Sequence, residues 1–191
     1  MSEAGPVEAG APAARAVSLL LHPFVVLGAL APVAAWRLAP ASLPRALAGM
    51  ALVVAVVWAF CWWRWRSGRW STVDASRPQE RPLLYLLALV LAGGYWWWIG
   101  GRGSPMSSGV LAAVAMLCVA GLANRWIKLS LHMASLVFAG VVMLGLWRGG
   151  GLALLAAVPL LAWSRLAMGR HTWREVVGGT LLGAAAGALL L

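Results

Sequence analysis

From Ala16 to the C-terminus one apolar run follows another, each about as long as a bilayer is thick, with only short polar joints between them. That succession constrains the fold more than anything else in the chain. A segment inside lipid must satisfy its own backbone N–H and C=O groups, which leaves helices or a closed barrel. The alternating pattern of barrel strands is absent, so the expected class is all-α, a polytopic bundle of about six or seven transmembrane helices. Candidate spans are Ala16 to Leu38, Ala46 to Trp63, Leu83 to Gly100, Ser108 to Trp126, Leu129 to Trp147, Leu152 to Met168 and Trp173 to Leu191. Gly100 to Pro105 reads as a tight reversal between the third and fourth spans, and Gly149-Gly150-Gly151 as a hairpin between the fifth and sixth.

Composition bears on what surrounds these helices. With 62% hydrophobic and 10% charged residues, no soluble core of this size could bury the apolar sequence, so lipid must cover part of it. Residues 1–15 read as a disordered Ala/Gly/Pro-rich tail without the features of a secretory signal, and residues 16–191 as a single helical domain. Cys61 and Cys118 lie inside apolar runs without metal spacing and read as small core hydrophobes.

The net charge of +10 is almost all arginine, placed at the ends of apolar runs. In that position it points to anionic headgroups or a phosphorylated substrate, not to nucleic acid. With seven spans, three polar segments fall on the N-terminal side of the membrane: 64–82, 125–132 and 164–175. The positive-inside rule gives that side a weak cytoplasmic bias. Trp58, Trp62, Trp63, Trp65 and Trp70 near one side, and Trp96 to Trp98 near the other, read as interfacial belts.

Scarce polar residues gathered at the edge of a membrane span mark a candidate site. His171 and Glu175 are four apart at a helix start, so the carboxylate can accept an imidazole N–H and leave the other ring nitrogen as nucleophile or base. Arg165 and Arg170 can neutralise anionic oxygens. In Lys128-Leu129-Ser130-Leu131-His132, the only Lys stands beside a hydroxyl and a second His at the entry to a helix, where free N–H groups favour an anion. His132 could protonate a leaving oxygen. Arg77 and Arg81 can serve phosphate from the 64–82 loop, which also holds the only Asp, Asp74. Each cluster has a plainer reading: membrane-edge loops with snorkelling cations, a capping Thr172 and a hydrogen-bonded buried His. His22-Pro23, in the first span, reads as structural or interfacial.

Taken together, the three clusters resemble the type 2 phosphatidic acid phosphatase superfamily. Its third motif, Ser-Arg, five residues, His, three residues, Asp, is matched by Ser164, Arg165 and His171, with Glu175 in the Asp position. Its second, Pro-Ser-Gly-His, is matched by Ser130 and His132, with Leu129 and Leu131 in place of Pro and Gly. Its first, Lys, six residues, Arg-Pro, is matched by Arg81-Pro82, with Asp74 where the family has Lys. The resemblance implies a phospho-histidine on His171 oriented by Glu175. It implies a proton from His132 and phosphate held by Arg81, Ser130 and Arg165. Lys128 and Arg77 could substitute for the missing Lys, Ser164 belongs to the same set, and no metal or other cofactor is implied.

The expected function is hydrolysis of a lipid phosphate monoester or diphosphate entering from the bilayer: a prenyl phosphate, a phosphatidate-like lipid or a lipid-linked sugar phosphate. The expected setting is a multi-pass protein of a bacterial inner membrane. An intramembrane prenyltransferase needs Asp-rich, Mg-binding motifs, which one Asp cannot supply. The remaining alternative is a lipid-phosphate binder or transporter on a degenerate phosphatase fold. No P-loop, HExxH or CxxC pattern favours another chemistry.

Overall fold

A computed structural model describes residues 11–70 and 78–191. Every regular element among them is helical. Among the described residues nine α-helices run in chain order: α1 (Ala11–Leu20), α2 (Pro23–Leu38), α3 (Leu43–Arg66), α4 (Arg81–Trp98), α5 (Ser107–Ala123), α6 (Leu131–Leu146), α7 (Arg148–Ala156), α8 (Val158–Ala167) and α9 (Trp173–Ala188). Three stretches are long and apolar enough to cross a membrane: Pro12–Leu38, Pro40–Arg66 and Arg148–Ala167. Three shorter apolar helices accompany them: Pro82–Trp98, Ser107–Ala123 and Leu131–Leu146. A helix of 16 residues, such as α6, rises only about 24 Å, less than the hydrocarbon thickness of about 30 Å. Long apolar helices with this much exposed Leu, Val and Trp are those of a membrane protein.

The chain divides into two compact units. Among the described residues, one comprises 11–27 and 129–188, the other 28–70, 78–128 and 189–191. In the first, α6 and α9 form the central pair, α7 packs on α6, and α1 packs on α8. In the second, α4 packs between α3 and α5 around a core of Ala35, Ala46, Tyr95, Ile99 and Met106.

Glycine sets the α6–α9 pair. Gly179, Gly183 and Gly187 recur every fourth residue on α9 and share one face. A Cβ at Gly179 would meet the Ser130 backbone, one at Gly183 the Ala134 carbonyl, and one at Gly187 the Val141 side chain at 2.8 Å. Both residue series ascend together, so the two helices run parallel with their backbones in contact. This is the small-residue packing that membrane helices use where lipid removes the hydrophobic drive between them.

The structure corrects three expectations. Gly149 to Gly151 are not a hairpin loop but the first turn of α7. The reversal occurs at Trp147, whose backbone is extended (φ −154°, ψ 96°). Gly151 then lies directly against the Leu144 backbone, a position no side chain could share. Ala11 to Arg15, expected in the tail, are helical, and Ala14 is completely buried. Cys118 is exposed on α5, while Cys61 is buried. On a helix whose surroundings are lipid, an apolar residue gains nothing further from burial inside the protein. By contrast, the turn after α4 is where the glycines place it. Gly100 takes a left-handed conformation (φ 109°) and leads into a short 3-10 turn, Gly101–Gly103.

Candidate functional site

The segment from Arg165 to Glu175 is shaped by how α8 stops and α9 starts. Gly169, at φ 61°, ends α8 in the left-handed region that favours glycine. Around it the Gly169 N–H donates to the Leu166 carbonyl (2.9 Å) and the Arg170 N–H to the Arg165 carbonyl (3.1 Å). This compact turn delivers the chain from the last turn of α8 to His171. There Thr172 and Glu175 cap α9 reciprocally. The Thr172 N–H donates to Glu175 Oε2 (3.2 Å), and the Glu175 N–H donates to Thr172 Oγ1 (3.4 Å).

The same carboxylate oxygen also meets His171 Nδ1 at 2.7 Å. The pairing expected from the spacing is therefore present, with the helix cap built into it. The His171 side chain is almost wholly enclosed, at 1% exposure, and the Glu175 side chain is at 16%. A carboxylate can only accept, so a neutral His171 carries its proton on Nδ1. Its lone pair is then on Nε2, the nitrogen that nucleophilic chemistry requires.

The second cluster joins the first through the backbone. The Ser130 N–H donates to the Glu175 carbonyl (3.1 Å), so the residue preceding α6 is fixed to the first turn of α9. Ser130 is completely buried, and its Oγ has no hydrogen-bond partner. An enclosed hydroxyl of this kind needs a partner from a ligand or water to recover its desolvation cost. His132 follows in the first turn of α6 and is 8% exposed. Because α6 and α9 are parallel, both helix starts lie at one end of the pair, where the aligned helix dipoles favour an anion.

Arg165 is buried on α8, at 4% exposure, and its Nη1 donates to Ser18 Oγ of α1 (2.8 Å). Ser164, next to it, is fully buried and donates Oγ–H to the Ala14 carbonyl (2.6 Å), which ties α1 to α8. Arg170 is half-buried, and Arg174 is exposed. Lys128 is half-exposed in the extended segment before α6 and falls on the other side of the division between the units. Arg81 opens α4 in the second unit, with its side chain outside the described residues. Arg77 and Asp74 lie outside them altogether. The structure thus brings together His171, Glu175, Ser130, His132, Ser164 and Arg165 within one unit.

Two further residues of that unit reach the site unforeseen. Ser18 is the partner of Arg165. His22 lies edge-to-face against His132, with ring centroids 5.0 Å apart and planes at 87°. The signal for His22 was in the sequence: a residue before proline is pushed out of the helix, so His22-Pro23 must interrupt the first apolar run. Nothing in the sequence marks Ser18, a small polar residue in an apolar helix.

Among the described residues, no group of three or more His, Cys, Asp or Glu gathers as a metal site would. The chain matches no protein-family model, no curated protein and no solved structure.

Proposed function

We propose that the chain is a multi-pass membrane phosphatase resembling the type 2 phosphatidic acid phosphatases. It would hydrolyse a lipid phosphate monoester or diphosphate through a phospho-histidine. The observation that carries this reading is the enclosed His171–Glu175 pair, fixed by a helix cap and tied through the Glu175 carbonyl to the backbone N–H of Ser130, whose hydroxyl is buried. An oriented imidazole beside an anion-favouring pair of helix starts is the arrangement that in-line attack on phosphorus needs.

In the proposed reaction, His171 Nε2 attacks phosphorus. An N–P bond forms, the P–O bond to the lipid breaks, and the leaving oxygen takes a proton from protonated His132. The Nδ1 proton stays on His171, shared with Glu175, whose charge offsets the positive charge that develops on the ring. Water then attacks phosphorus, giving its proton to the now neutral His132. The N–P bond breaks, inorganic phosphate leaves, and both histidines return to their starting states. Arg165 and Ser130 hold the non-bridging oxygens, and Arg170 adds positive charge at the rim. Ser164, bonded to Ala14, supports Arg165 from its own helix.

The test is phosphate release in detergent from a panel of lipid phosphates, with EDTA present, comparing wild type with His171→Ala. Release by wild type that disappears in a folded His171→Ala variant is the expected result. No release from any lipid by folded wild type would overturn the phosphatase and leave a lipid-phosphate binder.

A further inference from the structure

We infer that α1 and the break that follows it carry two positioning residues for this site, Ser18 for Arg165 and His22 for His132. The inference rests on the phosphatase reading and extends it to a part of the chain outside all three motifs.

The two residues are one helical turn apart, where α1 ends against α8. Ala14 and Ser18 share the buried face of α1, while Arg15, Leu19 and Leu20 are exposed. Ala14 takes the Ser164 hydroxyl at 2.6 Å, and Ser18 takes Arg165 Nη1 at 2.8 Å. Ser18 is itself 7% exposed, so the bond is made out of water. Arginine has many rotamers and a planar fork that must be aimed to hold phosphate oxygens in pairs. A short bond from one end of the guanidinium to a hydroxyl on a neighbouring helix fixes that plane. The remaining N–H groups keep one direction.

His22 acts on His132 through its ring. The break before Pro23 leaves His22 outside both helices, and its Nδ1 accepts the Phe24 N–H at 3.3 Å, capping α2. That bond and a tilted contact with Phe24, with ring centroids at 5.0 Å, fix the His22 ring. Held there, the ring stands perpendicular to His132. An imidazole packed edge-to-face cannot turn about its second side-chain torsion without collision. His132 therefore presents the same nitrogen to the leaving oxygen at each turnover.

The two roles differ in kinetic signature. Aiming Arg165 concerns an oxygen cluster present in substrate and transition state alike, so its loss falls on KM. Aiming His132 concerns a proton that moves only in the transition state, so its loss falls on kcat. Simple loosening of α1 from α8 would move both parameters in the same way for either residue.

The experiment compares the full-length protein with Ser18→Ala, Ser18→Thr, His22→Asn and His22→Phe, measuring phosphate release in detergent against the best lipid of the panel. Ser18→Ala should raise KM about tenfold with little change in kcat, and Ser18→Thr should restore it. His22→Asn keeps a side chain able to cap α2 but removes the ring, and should lower kcat about tenfold or more at unchanged KM. His22→Phe keeps the ring but cannot cap, and should recover most of that loss. If His22→Asn is active and His22→Phe is not, capping is the whole role of His22. If Ser18→Ala and His22→Asn change KM and kcat in the same proportion, α1 is merely structural. Either result overturns this inference while the phosphatase stands. A wild type that releases no phosphate overturns both.

Discussion

Helices approach one another in two different ways in the two units. In the unit that holds the candidate site, α6 and α9 meet backbone to backbone at Gly179 against Ser130 and Gly183 against Ala134, with Gly187 against the Val141 side chain. In the other unit, aromatic side chains fill the space between helices. The Trp98 indole N–H donates to the Arg45 carbonyl (2.8 Å), and its ring occupies the hollow over Gly49. Tyr95 donates to the Ala46 carbonyl (3.4 Å), and the Trp96 indole N–H donates to Ser107 Oγ (2.6 Å). Rings that end in a polar group suit helices with a wet end and an apolar body, and they adjust to small displacements. Backbone contact allows no such adjustment. The candidate site sits where the packing is least forgiving, which is what a site held to a fraction of an ångström requires.

That contrast can be broken at several points. The largest effect should come from Gly183→Val, which drives a branched side chain into the Ala134 carbonyl. It should cost about 3 kcal/mol or more, read as a lower denaturation midpoint of the detergent-solubilised protein. Tolerance of Gly183→Val would show that the α6–α9 contact is as adaptable as the aromatic one. Next, Glu175→Gln keeps a capping side chain but removes the charge beside His171. Phosphate release should fall about a hundredfold, roughly 2.7 kcal/mol in the barrier, with helical circular dichroism unchanged. A drop in helicity matching the drop in rate would make Glu175 a cap alone. Trp96→Phe, which removes the bond to Ser107 in the aromatic unit, should cost about 1 kcal/mol of stability and leave phosphate release intact. Smallest of all, Gly93→Ala on α4 meets nothing within 4 Å and should stabilise by about 0.5–1 kcal/mol. Destabilisation there would mean that glycine on α4 serves packing as it does on α9.

The sequence speaks clearly where a rule is local. Apolar runs foretold helices, Gly100 foretold the turn after α4, and the four-residue spacing of His171 and Glu175 foretold their pairing, now seen at 2.7 Å. Local rules also misled. Three consecutive glycines read as a loop, yet a glycine run also permits close approach, and at Gly151 the approach to Leu144 prevailed. The joining of Ser130 to Glu175, and of Ser18 to Arg165, depends on which helices become neighbours, and no periodicity within either helix encodes that. His22 lay between the two cases. Its proline neighbour announced a helix break, but only the placement of α1 against α8 turned that break toward His132.

The parallel course of α6 and α9 bears on the order of assembly. Neighbouring helices that follow one another directly in the chain run antiparallel. Parallel neighbours need an intervening segment to carry the chain back, and here α7 and α8 do so. Ser130 therefore waits, as the chain is made, until α9 has emerged and slotted its glycines alongside α6. Contacts so distant in sequence form late. The part of the candidate site on α6 therefore stays incomplete until α9 has been made, for the Ser130 N–H finds its partner only in the Glu175 carbonyl.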